Sequence, residues 1–255
     1  MTISIMWNKK TISKLLSVFF ALLLWQIIAT IVGLDILLVS PVKVLERLAT
    51  LWLEPDFWQT ITFSLSRIIA GFFLAFILGI LLAMLAGRFS LVEIFLWPYV
   101  ITIKSVPVAS FIIISLIWLT AGQLSVFISF LMVFPLIYTN VLQGIKSTPA
   151  SILEMAKLYQ IPYQRKLAFI YLPQIKPYLI SACSVSLGMS WKSGIAAEVI
   201  GISSGSIGEK LYESKVYFQT SDLFAWAVII VLISVIFEKV FLFLLRRFFS
   251  KLEGI

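Results

Sequence analysis

Between Lys104 and Lys146 the chain runs for 41 residues without a single Asp, Glu, Lys or Arg. A bilayer crossing takes about 20 apolar residues, so this run holds two crossings if the chain turns at Thr120-Ala121-Gly122-Gln123. Residues 15–34 and 68–87 are uncharged runs of 20 residues each, and supply two more. Residues 178–197, interrupted by Lys192, and residues 223–245, with Glu238-Lys239 near their end, complete six. Backbone groups in lipid must be satisfied internally, so all six are predicted as helices. Composition agrees: 61% of the 255 residues are hydrophobic and 13% charged, with mean hydropathy +1.06, against about 25% charged in soluble domains. The expectation is one lipid-embedded, all-α domain over residues 1–255, and a soluble globular fold is excluded.

Lys9, Lys10 and Lys14 precede the first run, as in a signal peptide. That run exceeds a usual signal core and ends at Val32-Gly33-Leu34-Asp35 without a small-x-small cleavage site, so it reads as a retained span. No His is present and Cys183 is the only cysteine, which removes imidazole chemistry and an internal disulfide. No metal site is expected. Orientation follows from the basic residues, which concentrate in cytoplasmic loops. Twelve lie on one side (Lys9, Lys10, Lys14, Arg88, Lys146, Lys157, Arg165, Lys166, Lys176, Arg246, Arg247, Lys251) and four on the other (Lys43, Arg47, Lys210, Lys215). Both termini are therefore expected in the cytoplasm. The net charge of +8 is topogenic, and membrane lipid rather than nucleic acid is the expected surrounding. Trp7, Trp25, Trp52, Trp58, Trp97 and Trp118 read as an interfacial belt and lipid-facing bulk.

Gly71, Ala75, Gly79, Ala83 and Gly87 recur every four residues and draw a stripe of minimal side chains down the second span. Such a stripe lets another backbone approach closely. Packing within the chain is the favoured reading over a subunit or pathway interface.

Residues 146–176 form the one sizeable polar segment on the cytoplasmic side. Thr148-Pro149 looks like an N-cap followed by proline at the first helical position. Ile152, Met155, Ala156 and Tyr159 then fall at i, i+3, i+4 and i+7, with Glu154 and Lys157 off that face. Ile161-Pro162 stops this helix, and a second short helix leads to Pro173. Two capped helices where a brief turn would join the spans suggest a docking surface.

Glu154-Met155-Ala156, Gln160, then Ile170, Leu172 and Pro173 resemble the EAA motif of ABC importer permeases, E-A-A-x-x-x-G-x9-I-x-L-P, with matching spacing at every position. Met155 stands for the first alanine and Gln160 for the glycine. That glycine usually serves the turn after the coupling helix, so a residue with a Cβ held there at positive φ would cost about 1 kcal/mol. Ser64-Leu65-Ser66-Arg67 through Gly71-Phe72, Lys104-Ser105-Val106-Pro107, and Ala196-Ala197-Glu198 with Ser203-Ser204-Gly205 are similar to the nitrate, sulfonate and taurine branch. Several separated motifs in order are more specific than any one.

The resemblance implies a type I importer permease fold in the cytoplasmic membrane. It implies a permease dimer, usually of identical chains, two cytoplasmic ATPase subunits that bind ATP and Mg, and an extracytoplasmic substrate-binding protein. The helix after Pro149 would seat in an ATPase groove, Ala156 would permit close approach, Met155 and Ile161 would add apolar contact, and Leu172-Pro173 would fix the return into the membrane. No cofactor is expected in the chain itself. Gly188-Met189-Ser190-Trp191-Lys192-Ser193 lacks the glycine before lysine of a phosphate-binding loop, so hydrolysis belongs to the partner.

Ionisable residues inside spans are functional candidates by default. Ser186, Ser190, Gly194 and Glu198 are spaced four apart and could line a translocation path, although Glu198, near the outer interface, favours a structural role. Lys192 lies off that stripe. It attracts an anionic substrate, or else forms half of a structural ion pair or reaches water. Lys104, ahead of the Pro107 break, sits in a cavity or at the cytoplasmic rim, and Arg67 is expected to snorkel at the outer face. The expected solute is a small organic or inorganic anion such as a sulfonate, taurine or nitrate. A neutral heterocyclic vitamin precursor and an ion-coupled secondary transporter are the alternatives, and a membrane enzyme lacks the necessary carboxylate cluster.

Overall fold

The computed structural model describes residues 2–253, and every regular element among them is helical. Met1, Gly254 and Ile255, with the side chains of Trp7, Lys9 and Lys10 invoked above, lie outside the described residues. The elements are α1 (Thr2–Val32), α2 (Pro41–Leu51), α3 (Phe57–Arg88), α4 (Ser90–Ser105), α5 (Val108–Ser115), α6 (Ala121–Lys146), α7 (Ala150–Leu158), α8 (Tyr163–Lys166), a π-helical turn (Leu167–Tyr171), α9 (Leu172–Gly201), α10 (Ile207–Val216) and α11 (Thr220–Glu253).

Four of the six expected crossings are helices both long and apolar enough to span: Ile12–Val32, Phe57–Arg88, Ala121–Lys146 and Thr220–Lys251. The third expected crossing is corrected. In its place stand α4, which begins after the single intervening residue Phe89, and α5, a pair bent by 103° that forms either a broken span or a re-entrant loop. Pro107 is the cause: it lacks an N–H and forces the preceding residue out of the helical region, and Val106 accordingly has φ −85° and ψ 133°. The fifth expected crossing falls on α9, which at 30 residues is about 45 Å of helix and long enough to span, but is not among the helices apolar enough to do so by composition. Lys176, Lys192, Glu198 and its serines make it more polar than the other four.

The turn expected at Thr120–Gln123 forms. The Gln123 side-chain oxygen accepts the Thr120 backbone N–H at 3.4 Å, satisfying a donor that an N-terminus leaves orphaned.

The chain divides into two units, Met1–Trp58 with Lys210–Ile229, and Gln59–Glu209 with Ile230–Ile255. In the first, Trp25 donates its indole N–H to the Val39 carbonyl at 3.1 Å and stacks obliquely on Phe224, so this tryptophan is a packing residue rather than belt. Thr220 donates to the Ile36 carbonyl at 2.9 Å. Arg47 bridges Asp222 and Glu54, and the hydrogen bond with Asp222, with Glu54 adding to it, raises its already high pKa against the effect of burial. Trp52, Trp58, Trp97 and Trp118 are exposed, as an interfacial belt requires.

The second unit is built around the pairing of α6 with α9. Phe72, Val133, Ile137, Cys183 and Leu187 are fully buried between α3, α6 and α9, with Phe241 of α11 edge-on to Phe72. The small-residue stripe is what brings α3 onto α6. A Cβ at Gly71 would lie 2.4 Å from the Val126 carbonyl oxygen, one at Gly79 2.9 Å from Ile137 Cγ2, and one at Gly87 2.8 Å from Ile145 Cγ2. Ala75 and Ala83 between them are completely buried.

Candidate functional site

The loop 146–176 leaves α6 at Lys146, whose ammonium grips both carboxylate oxygens of Glu93 at 2.6 and 2.7 Å. The cap expected of Thr148 is not made. Its hydroxyl is buried without a hydrogen-bond partner, and Pro149, with φ −59° and ψ 133°, occupies the N-cap position instead. Proline's fixed φ and absent N–H suit that boundary.

The apolar face of α7 is divided. Ala156 is fully buried and Ile152 half-buried, whereas Met155, Leu158 and Tyr159 are 49%, 79% and 72% exposed. Ala156 therefore packs inside this chain, which corrects its expected role in close approach to a partner. Leu158 was missed by the i, i+3, i+4, i+7 reading, although Met155, Leu158 and Tyr159 share one face at i, i+3 and i+4. Glu154 and Lys157 are exposed beside them.

The helix ends in a Schellman motif. Ile161 N–H donates to the Ala156 carbonyl at 2.9 Å and Gln160 N–H to the Lys157 carbonyl at 3.1 Å, the six-to-one and five-to-two bonds that satisfy the last carbonyls. Gln160 stands at φ +50°, in the left-handed region where glycine is favoured.

The expected second short helix does not stand apart. Tyr163–Lys166 passes into the π-helical turn Leu167–Tyr171, which runs straight into α9 with Pro173 in its first turn. Leu172 N–H reaches back five residues to the Leu167 carbonyl. In a running helix the ring of Pro173 would collide with the carbonyl four residues before it, and the wider turn relieves that clash. Ile170 and Leu172 are half-buried, while Ile161 is half-buried and Pro162 exposed.

The stripe expected to line a path faces inward. Ser186, Ser190, Gly194 and Glu198 are all buried, and Ser129 of α6 donates to the Ser190 carbonyl at 3.1 Å. A Cβ on Gly194 would come within 2.6 Å of both Ile68 Cγ1 and Ser129 Oγ. Glu198 accepts the Ser64 hydroxyl at 2.7 Å and the Gly208 N–H at 3.3 Å on one carboxylate oxygen, and Ser64 in turn accepts the Ile207 N–H at 2.9 Å. The carboxylate thus ties α3, the end of α9 and the start of α10 together.

Arg67 is likewise a tie rather than a snorkelling group. Its guanidinium lies 3.3 Å from the Phe63 ring centroid and donates to Ser203 Oγ at 3.5 Å. Gly205 takes φ +77° and its N–H donates to Glu209 at 2.5 Å. The Ser64, Arg67, Gly71 and Phe72 positions of one motif and the Glu198, Ser203 and Gly205 positions of another are therefore parts of one packing arrangement.

Lys104 and Lys192 remain on free surface. Lys104 donates to Thr139 Oγ1 at 3.3 Å, seven residues before the end of α6 and so about 10 Å from it along the helix. Lys192 makes no hydrogen bond or ion pair among the described residues and is exposed on α9, nine residues, or about 14 Å, before that helix's C-terminal end. Val185 and Met189 are exposed on the same face, and nothing lies within 4 Å of a Cβ built on Gly188. The i, i+3, i+4, i+7 spacing of 185, 188, 189 and 192 was the signal for this face.

The profile of the family described as "Binding-protein-dependent transport system inner membrane component" matches residues 75–253. The putative aliphatic sulfonates transport permease protein SsuC of Bacillus subtilis (strain 168) is 26% identical over 88% of this chain and 81% of its own. The taurine transport system permease protein TauC of Escherichia coli (strain K12) is 26% identical over 85% and 81%. The nitrate import permease protein NrtB of Synechocystis sp. (strain ATCC 27184 / PCC 6803 / Kazusa) is 25% identical over 99% and 92%.

Proposed function

The chain belongs to the binding-protein-dependent transport system inner membrane components, as an ABC importer permease of the nitrate, sulfonate and taurine branch, and from that membership we propose how its two exposed features work. In this reading it passes a small organic or inorganic anion across the cytoplasmic membrane as one of two identical permease chains. An extracytoplasmic binding protein delivers the solute, and two cytoplasmic ATPase subunits, which bind ATP and Mg, grip the loop 146–176.

The observation that carries the reading is the exposed trio Met155, Leu158 and Tyr159 on a short capped helix beside Glu154. Three large apolar groups left in water on one helix face favour burial against a partner, and a helix in a groove is the simplest way to bury them. Ala156 and the Schellman turn hold α7 to its own chain. The π-helical turn joins it to α9 without a loose linker. Movement of the ATPase pair would then be transmitted to α9 as a lever, and the spans would change between outward-open and inward-open states.

Lys192 in the outer half of α9 and Lys104 nearer the cytoplasmic end offer cations at two depths, as passage of an anion would use. The relatives named for sulfonates, taurine and nitrate support that solute class.

The test is ATP-driven uptake in proteoliposomes containing permease, ATPase and binding protein. Glu154→Lys and Leu158→Asp should each cut uptake at least tenfold while ATP hydrolysis continues and membrane insertion is unchanged. Full uptake by both variants would refute the docking role of α7.

A further inference from the structure

At the cytoplasmic end of the second unit, α3, α6, the π-helical turn, α9 and α11 enclose a cavity of about 640 Å³. Along α3 its wall runs from Arg88 up to Phe73, a rise of about 22 Å against roughly 15 Å for the hydrocarbon depth of one leaflet. It is therefore an elongated slot spanning the inner leaflet. Every described residue lining it is apolar, aromatic or glycine except Arg88, which ends α3 on the side that the basic residues assign to the cytoplasm.

We propose that this slot is a binding site for an anionic phospholipid of the inner leaflet, with an acyl chain laid between α3 and α11 and the headgroup phosphate on Arg88. Depth and charge identify the occupant. Water is a poor filler, because among the described residues the wall above Arg88 offers no polar side chain except the Tyr171 hydroxyl to bond it. A polar solute would leave its own groups unpaired there. An acyl chain matches the wall, and a phosphate matches the guanidinium that stands where headgroups lie.

The local charge has the right sign. Arg246 and Arg247 are exposed on the turn of α11 whose neighbours Leu245 and Phe248 line the slot, and Arg165 and Lys166 precede the π-helical turn. Two described carboxylates of this unit are engaged by other groups. Glu93 is neutralised by Lys146, and Glu238 is engaged by the Ser184 hydroxyl at 2.9 Å. The slot also shares a wall with the cytoplasmic loop's return, through Leu167, Tyr171 and Leu172.

The test uses the full-length permease with its partner subunits in nanodiscs of equal phosphatidylglycerol and phosphatidylcholine, one of the two carrying a photoactivatable group in its acyl chain. Labelled phosphatidylglycerol should crosslink to peptides 73–88 and 241–249 at least fivefold more than labelled phosphatidylcholine does. Arg88→Gln should reduce that preference about fivefold, the factor corresponding to about 1 kcal/mol per basic residue at an anionic surface. Met84→Trp, which narrows the slot without touching its charge, should reduce labelling by both lipids there and leave labelling of α1 unchanged.

Equal labelling by the two lipids, or a preference that survives Arg88→Gln, would overturn the headgroup assignment. Crosslinks joining these peptides to another protein segment in place of lipid would overturn the proposal altogether.

Discussion

Gln160→Gly isolates the strain in the loop that joins α7 to the membrane. Gln160 sits at φ +50°, where a Cβ crowds the following carbonyl at about 1–2 kcal/mol. Glycine removes that crowding but gives the opened chain more freedom, worth about 0.5–1 kcal/mol in the other direction. The net expectation is a turn more stable by roughly 0.5–1 kcal/mol, or about two- to fivefold in its opening equilibrium. Both Schellman bonds report on that opening, because the amides of Gln160 and Ile161 are tied to the Lys157 and Ala156 carbonyls. Hydrogen exchange of the permease in nanodiscs should show these two amides slowed two- to fivefold in the variant, with the amides of α6 unchanged. Gln160→Pro supplies the opposite arm, since proline fixes φ near −65° and has no N–H to bond Lys157. Its loop should exchange at least tenfold faster. Faster exchange at Ile161 in the glycine variant would refute the left-handed geometry and the strain assigned to it.

Lys192→Ala should lower uptake of an anionic solute by tenfold or more, while Lys192→Arg retains most of it; equal uptake by wild type and alanine variant in proteoliposomes would remove this lysine from the path. Gly71→Val should destabilise the α3–α6 contact by about 3 kcal/mol, the upper end for overpacking, since its Cβ would meet the Val126 carbonyl oxygen at 2.4 Å and backbone cannot give way as a side chain would. Gly188→Ala, with open space around it, should instead match or exceed wild type by about 0.5–1 kcal/mol, and thermal unfolding of the two purified variants separates them. Glu198→Ala leaves the Ser64 hydroxyl and the Gly208 N–H without their acceptor, a loss of about 2–4 kcal/mol. Glu198→Gln, which keeps an acceptor oxygen, should recover about half of that in the same melt.

Long uncharged runs, basic asymmetry and the spacing of Glu154, Gln160 and Pro173 were readable from residue order, because each depends on near neighbours or on the solvent alone. The left-handed turn at Gln160 was readable for the same reason: capping is a local event. Misreadings came where a residue's role depends on what faces it. Ser186, Ser190, Gly194 and Glu198 make the same four-residue spacing whether they line a pore or meet α6, and only the position of Ser129 and Ile68 distinguishes the two. Arg67 could snorkel or bridge, and the nearness of Phe63 and Ser203 resolves it.

Residue order by itself determined that this chain is an all-helical membrane protein with a long polar loop on its basic side, since hydrophobicity and charge act through the medium regardless of partners. The tertiary structure decided which face of α9 is buried, which apolar groups of α7 stay exposed, and that the chain bends sharply at Pro107. Those outcomes rest on contacts between residues far apart in sequence, where close packing admits one face and excludes the other.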